Sequence, residues 1–341
     1  MSVQAHAFIT LNPSFIEPEL LMQYNQSSQF VDLFSGGQLR VRLGEDDLLV
    51  YMKQMNLRTR MAASQTGAQE FPSVDVMATM ISAPTYLLQV RNEYNHHDVA
   101  AGARWGFAVP EAYRLGGRQA NFQLARDAAL FGMNPQNGEG ILNSTGITAI
   151  NLPADSFGND TVVTYDNGQM AFFLAQQVQA IKTATFQMGK GKKFAVIGPQ
   201  RTLGSFEYNV VQLVQYQRVG AGTQSTKGTF EEILMANGDS VTWGYDDTLI
   251  GAGSGGTDAV IIAMTELDVP DQASKPVDTN IFASLMPASK VTVTQYCDMA
   301  APREIISPLA GGATDMVQEW RISSGWVPRP PTVEVVSMRY Q

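Results

Sequence analysis

Cysteine, charge and reactive motifs are what this sequence is short of. Cys297 is the single cysteine in 341 residues, so no internal disulfide framework can form. It lies in an alternating run and reads as a small buried apolar residue. Charged residues make up 16% of the chain, against about 25% in an ordinary globular protein. No Lys/Arg run supplies the electrostatic footprint of a nucleic-acid binder. The most basic patch, Gly189-Lys190-Gly191-Lys192-Lys193, reads as a solvated turn ahead of a strand. The N-terminus lacks the basic-then-apolar order of a signal peptide, and no stretch holds 18 consecutive apolar residues. Asn143-Ser144-Thr145 and Asn159-Asp160-Thr161 match glycosylation sequons, which carry little weight without a secretion signal. A soluble chain made in a reducing cytoplasm, with no membrane partner, is the expectation.

The catalytic inventory is equally thin. Gly251-Ala252-Gly253-Ser254-Gly255-Gly256 looks like a nucleotide loop, but a dinucleotide fingerprint opens a helix and here the strand-like Ala259–Met264 follows. It reads as a flexible loop. His96-His97-Asp98 is the one histidine pair; in a strand its members would point apart, and no HExxH or cysteine partner adds ligands. His6 stands alone. Glu266, Asp268 and Asp271 fit no calcium-loop spacing, and no G-x-S-x-G elbow is present. No catalytic, cofactor-binding or metal-ligating residue is therefore assigned, and no cofactor is expected.

What the sequence does have is amides and packing segments. It carries 26 Gln and 15 Asn, 44% hydrophobic residues and a net charge of −9. Few charges with many amides suit a chain that covers its surface with neighbours, because charge is depleted at interface cores. The length allows two or more domains. Residues 1 to about 35 read as an extended arm with a short helix near Glu19–Tyr24. Residues 36 to about 90 contain Leu39–Leu43, Glu45-Asp46-Asp47 and the small, polar Met61–Gln69. They read as two strands joined by a flexible tip. At about 15 residues per strand such an arm reaches roughly 50 Å and needs a partner surface.

Further on, Tyr113, Gly117, Ala120, Leu124, Ala128 and Phe131 are spaced 4, 3, 4, 4 and 3, a helix period. Pro110 suits the start of that helix and Gly132 its stop. Gly116-Gly117 is its weak point: if the helix continues there, the glycines should face a close partner backbone. Met170, Leu174, Val178 and Ile181 predict a second helix from Asn167 to about Gln187. Phe194–Gly198 and Ala259–Met264 predict buried strands. Thr229-Phe230-Glu231-Glu232 reads as a capping box opening a helix that stops at Asn237-Gly238. Val291–Gln295, Met316–Ile322 and Val333–Met338 read as strands. Helices and strands interleave without a βαβ rhythm, so the expected class is α+β.

The order of these parts resembles the major capsid protein of tailed bacteriophages, whose fold is shared by encapsulins and the herpesvirus capsid floor. The motif that carries the resemblance is Leu130-Phe131-Gly132, then Gly140-Ile141-Leu142-Asn143 and Gly146-Ile147-Thr148, with Glu93–Asp98 and Trp105-Gly106-Phe107 upstream. The glycine turn is a contracted version of the family's. The resemblance implies an N-terminal arm over 1–35, an extended loop over 36–90, and a peripheral domain with a spine helix over 91–150. It further implies an axial domain over 151–285 and strands returning to the peripheral domain over 286–341. Implied partners are copies of the chain itself in hexamers and pentamers, a portal protein, a separate scaffolding protein and, in some relatives, a decoration protein. The shell would enclose DNA without sequence-specific binding, as a virion capsid assembled in the host cytoplasm. Some relatives crosslink a loop lysine; Lys53 is the one lysine of this loop region, and no motif marks that chemistry. Two other readings stay open: an encapsulin-like compartment shell, and a soluble enzyme with a site near His96 and His97.

Overall fold

The computed structural model describes residues 42–58, 75–104, 106, 108–185, 190–208, 210–211, 224–265, 298–299, 302–327 and 329–341. The N-terminal arm with its short helix, the tip Met61–Gln69, the strand at Val291–Gln295, Cys297, His6, and Glu266, Asp268 and Asp271 all lie outside them. In chain order the strands are β1 (Arg42–Leu43), β2 (Leu49–Arg58), β3 (Asp75–Asn95), β4 (Thr148–Asn151), β5 (Lys193–Gly198), β6 (Val210–Val211) and β7 (Gln224–Ser225). They continue with β8 (Ser240–Tyr245), β9 (Asp258–Met264), β10 (Asp298–Met299), β11 (Arg303–Pro308), β12 (Ala313–Ser323) and β13 (Val333–Met338). The helices are α1 (His96–Arg104), α2 (Val109–Leu130), α3 (Asn167–Ala184), α4 (Gln200–Tyr208) and α5 (Thr226–Ala236).

One sheet runs β1-β10-β12-β3-β2, with β11 also on β12. Its spine is β3, whose 21 residues serve two partners in turn. Asp75–Pro84 pairs with β2 as an antiparallel hairpin, and Thr85–Asn95 pairs with β12. The handover is pinned at Thr85. Its N–H donates to the Leu48 carbonyl at 3.1 Å, its hydroxyl donates to the Asp47 carbonyl, and Arg321 donates to that hydroxyl at 3.2 Å. The hairpin strands are therefore Leu49–Arg58 and Asp75–Pro84. The described end of the Leu39–Leu43 run pairs elsewhere, in parallel with β10.

A second sheet, β4-β13-β9-β5-β8, carries most of the core. All seven residues of β9 are buried, which is why the sequence there is a continuous apolar run. Strand alternation sends Val260, Ile262 and Met264 to one face, under α3, α4 and α5. Ala259, Ile261 and Ala263 go to the other face, where they meet Ala129, Leu130 and Ile141. In α3 the four residues Met170, Leu174, Val178 and Ile181 are buried, and Asp166 caps it by accepting from the Gln169 N–H at 2.8 Å. The closing segment divides between the sheets: β10, β11 and β12 join the first, and β13 joins the second between β4 and β9.

Two local expectations change. The helix expected to open at a Thr229–Glu232 capping box begins at Thr226, capped by Ser225, whose hydroxyl accepts from the Gly228 N–H at 3.1 Å. Glu231 instead accepts from the Trp243 indole at 2.8 Å. The turn before β5 is not fully solvated: Lys192 is buried, and its N–H donates to Asp239 at 2.9 Å.

The long helix α2 is continuous over 22 residues, through both glycines. Gly117 is buried, and a Cβ there would meet the Gln318 amide and, at 3.0 Å, the Trp320 ring, both on β12. The close partner is thus a pair of side chains, not a backbone. Gly116 faces open space. The apolar stripe is also redistributed. Gly117 and Ala128 are buried, but Ala120 and Leu124 are exposed, and burial concentrates at Ala125, Ala128, Ala129 and Leu130. Only the last turns of α2 enter the second sheet's core.

Neighbouring glycines should therefore respond in opposite directions. Gly116→Ala is expected to raise stability by up to about 1 kcal/mol, and Gly117→Ala to lower it by roughly 1–3 kcal/mol through overpacking. Thermal unfolding of the two variants checks this.

Candidate assembly surfaces

The C-terminal end of α2 is where the two sheets meet. A helix leaves its last carbonyls without partners, and here the chain that follows turns back to supply donors. Ile141 N–H donates to the Ala129 carbonyl at 2.9 Å and Leu142 N–H to the Leu130 carbonyl at 3.0 Å. The Asn143 side chain donates to the Phe131 carbonyl at 2.6 Å. The return requires near-contact of backbones. Gly132 and Gly140 have φ of +77° and +80°, and a Cβ on either would overlap the other's segment. From the end of β12, Gly325 lies so close that a Cβ would come within 2.5 Å of the Ala129 Cα. Its N–H donates to the Ala128 carbonyl at 3.3 Å, and its carbonyl accepts from Gly140 at 2.9 Å.

A carboxylate ties this joint to the hairpin strand. Glu139 is buried; it accepts from the Tyr86 hydroxyl of β3 at 2.9 Å and from the Asn134 N–H at 3.0 Å. Burial first, then the bond to Glu139 and its charge, push the Tyr86 hydroxyl up to about 12. Met133 N–H donates to Ser324 at 3.2 Å. Sequence reasoning found the stop at Phe131-Gly132 but missed Tyr86, Glu139 and Gly325, the first and last of which are remote from it in the chain.

The residues weighed for chemistry are not brought together. His96 and His97 are exposed at the start of α1, not in a strand, with ring centroids 3.9 Å apart. His96 Nδ1 lies 3.3 Å from the Gly312 carbonyl, and Asp98 caps the helix by accepting from the Asn95 N–H at 3.0 Å. Among the described residues no group of three or more His, Cys, Asp or Glu could hold a metal ion. The backbone of Lys53 lies in β2, opposite Met80. The Gly251–Gly256 loop folds back on Asp258 instead of forming a phosphate cradle, its Gly251 N–H donating to that carboxylate at 3.2 Å. Burial alone would raise Asp258, but Arg201 at 2.8 Å, Thr202 at 2.6 Å and Gly251 outweigh it and hold the carboxyl below its usual range. The shallow cleft beside them, about 370 Å³, is lined by Val163, Gln200, Arg201, Gly204, Ser205, Tyr208 and Tyr340 and holds no nucleophile–base pair.

Two carboxylates the sequence did not flag stand out. Asp155 is buried in the turn Pro153–Asp160 and accepts from the N–H groups of Phe157 at 2.9 Å, Asn159 at 2.8 Å and Asp166 at 3.0 Å. Burial pushes it up, but these bonds win and hold it below the usual carboxylate range. Glu334 is the reverse case. It is 2% exposed in β13, its Oε1 has no hydrogen-bond partner, and burial pushes it up to about 7. A lone carboxylate inside Val333–Met338 was the available signal.

The surface exposes apolar side chains in several places: Tyr51 and Met80 on the hairpin, Leu48 just before it, Leu87 where β3 pairs with β12, Leu115, Phe122 and Leu124 on α2, and Ile305 and Ile306 on β11. Exposed apolar area of that extent marks interaction sites. The family model described as Major capsid protein matches residues 61–208. Over that stretch the chain is similar to the family. Its role is structural, as a subunit of a capsid shell. The same fold occurs in the capsid of Myoviridae phage XM1, at 11% identity over 95% of this chain and 96% of that one, with a TM-score of 0.66. The capsid of cyanophage P-SCSP1u shares it at 11% identity, over 96% and 93% of the two chains, with a TM-score of 0.58. The capsid of an empty GTA particle shares it at 12% identity, over 96% and 95%, with a TM-score of 0.55. No curated protein matches the sequence. Among the described residues no helix is long and apolar enough to cross a membrane.

Two outcomes follow for this capsid subunit. Tyr86→Phe removes a donor from a buried carboxylate and should lower stability by roughly 1–3 kcal/mol, read by denaturant unfolding. Glu334 has a folded pKa above its unfolded value, so the fold is penalised above pH 7 and relieved as pH falls towards the unfolded value. Glu334→Gln should therefore be more stable than the natural chain at pH 8, by roughly 1–3 kcal/mol, with the difference gone by about pH 4.5 in melts across that range.

Proposed function

We propose that this chain is the repeating subunit of an icosahedral shell, built from hexamers and pentamers, that encloses the double-stranded DNA of a tailed phage. The observation that carries the reading is the family match joined to a fold shared with phage XM1 capsid over nearly the whole of both chains. Its physical support is a chain with 16% charged residues and apolar side chains left exposed on the β2–β3 hairpin. A net charge of −9 suits an inner wall that holds packed DNA without gripping it.

On this reading the β2–β3 hairpin is the extended loop that lies over a neighbouring subunit, and α2 with the β12-centred sheet is the peripheral domain. The five-stranded sheet with α3, α4 and α5 is the axial domain, to which β13 returns. Portal, scaffolding and decoration proteins are the further partners of such a shell. On the same reading the subunit's part is structural; its histidine pair is exposed on α1, with His96 Nδ1 3.3 Å from the Gly312 carbonyl. An encapsulin-like compartment is not favoured, because the family matched is that of capsid proteins.

Negative-stain microscopy and sedimentation of the purified chain, alone and with a separately expressed scaffolding protein, test the reading. Closed particles of uniform diameter are expected in at least one condition. A strict monomer in both would overturn it.

A further inference from the structure

The helix α3 has no charged side chain on its outer face. Lys182 is the one charged residue among its 18, and it is buried against Asp239. The residues left outside are Phe172, Gln176, Gln179, Ala180, Thr183 and Ala184. A helix that faces water ordinarily presents charges on that side, and this one presents an aromatic ring, amides and methyl groups.

A second exposed aromatic residue lies in a turn that is fastened to the same helix. Phe157 is 78% exposed and Phe172 60%. Phe157 sits in the turn built on the buried Asp155 carboxylate, which accepts its N–H and that of Asn159. The turn is fastened to α3 by its neighbour Ser156. The Ser156 N–H donates to Gln169 Oε1 at 3.0 Å, and Gln169 Nε2 donates to the Ser156 hydroxyl at 2.5 Å. Gln169 and Phe172 are three residues apart on the helix and so are surface neighbours. Several hydrogen bonds thus fix the backbone that carries one exposed apolar ring and tether it to the helix that carries another. Such fixing removes the ordering penalty that a contact would otherwise incur.

We infer that this face, Phe157 with the outer side of α3, is a contact surface for a second copy of this chain. The inference rests on the shell reading. The chemistry of the face selects the occupant. It has no lysine or arginine for nucleic acid and no carboxylate for a basic segment. Aromatic rings enriched where charge is depleted are the composition of an interface core. The chain offers matching chemistry in its own 26 Gln and 15 Asn, and in a shell its neighbours at fixed stoichiometry are other copies.

The test uses the full chain assembled into particles. Phe172→Glu should raise the concentration needed for particle formation at least tenfold, with far-UV circular dichroism unchanged and the melting temperature within about 2 °C of the natural chain. Independently of that variant's folding, Gln176→Cys in a Cys297→Ser background should react with maleimide at least tenfold more slowly in particles than in dissociated subunits. Assembly of Phe172→Glu at the natural concentration, with equal labelling of the introduced thiol in both states, would overturn the inference. So would a Phe172→Glu chain that forms particles alone but no longer co-assembles with a scaffolding protein, since the occupant is then that protein. If the natural chain forms no particles, the shell reading itself falls, and this inference with it.

Discussion

At the end of α2 three stretches of backbone lie closer together than any side chain permits. Gly132, Gly140 and Gly325 come from the helix stop, the returning turn and the end of β12, and each lies where a methyl group would collide with its neighbour. That approach lets the turn donate to the last helical carbonyls, and it sets Leu130 and Ile141 into the second sheet. It also brings Glu139 under Tyr86, so the hairpin strand, the helix and the second sheet share one joint. Without the contact the two sheets would have no common anchor. The rest of the architecture, with one sheet carrying the β2–β3 hairpin and the other a two-faced core, depends on it.

The division of labour around the joint follows from how burial is distributed. The second sheet is sealed on both faces, by helices on one side and the α2 terminus on the other, and accounts for most of the buried apolar side chains. The first sheet is thinly covered. Between it and α2 lie Gln318 and Asn92, each with a buried polar atom lacking a partner, and the exposed Leu115, Phe122 and Leu124 stand on the helix above. A subunit whose core is concentrated in one sheet can keep a low charge content without dissolving that core.

Much of this was legible in the sequence, and the failures are instructive. The strands β5 and β9 were readable because burial on both faces leaves a continuous apolar run, and α3 because its inner face repeats with a helical period. The stop at Phe131-Gly132 was readable because positive φ favours glycine. The α2 stripe misled at Ala120 and Leu124, since periodicity registers an apolar face without saying whether the same chain or another one covers it. Thr229-Phe230-Glu231-Glu232 has the spacing of a capping box, but an earlier serine at Ser225 captures the helix start and leaves Thr229 bonded within the first turn. The joint residues Tyr86 and Gly325 carry no local signal at all, because their partners lie 53 residues away or on the far side of an entire sheet. The uncharged outer face of α3 was not read from the sequence, because periodicity draws attention to the buried stripe of a helix and not to what its other side lacks.

The place of β13 in its sheet has a consequence for the life of the molecule on the ribosome. Residues 333–338 lie between β4 and β9, pairing with 148–151 on one side and 258–263 on the other. Val333 and Val335 complete the socket that receives Leu130. Until residue 338 has emerged, the growing chain holds that socket open and the sheet in two unconnected pieces. The helix end cannot seat, and the surfaces it positions are not yet in their final relation. Translation thus sets the order of events, with each subunit completing this core only after β13 has left the ribosome.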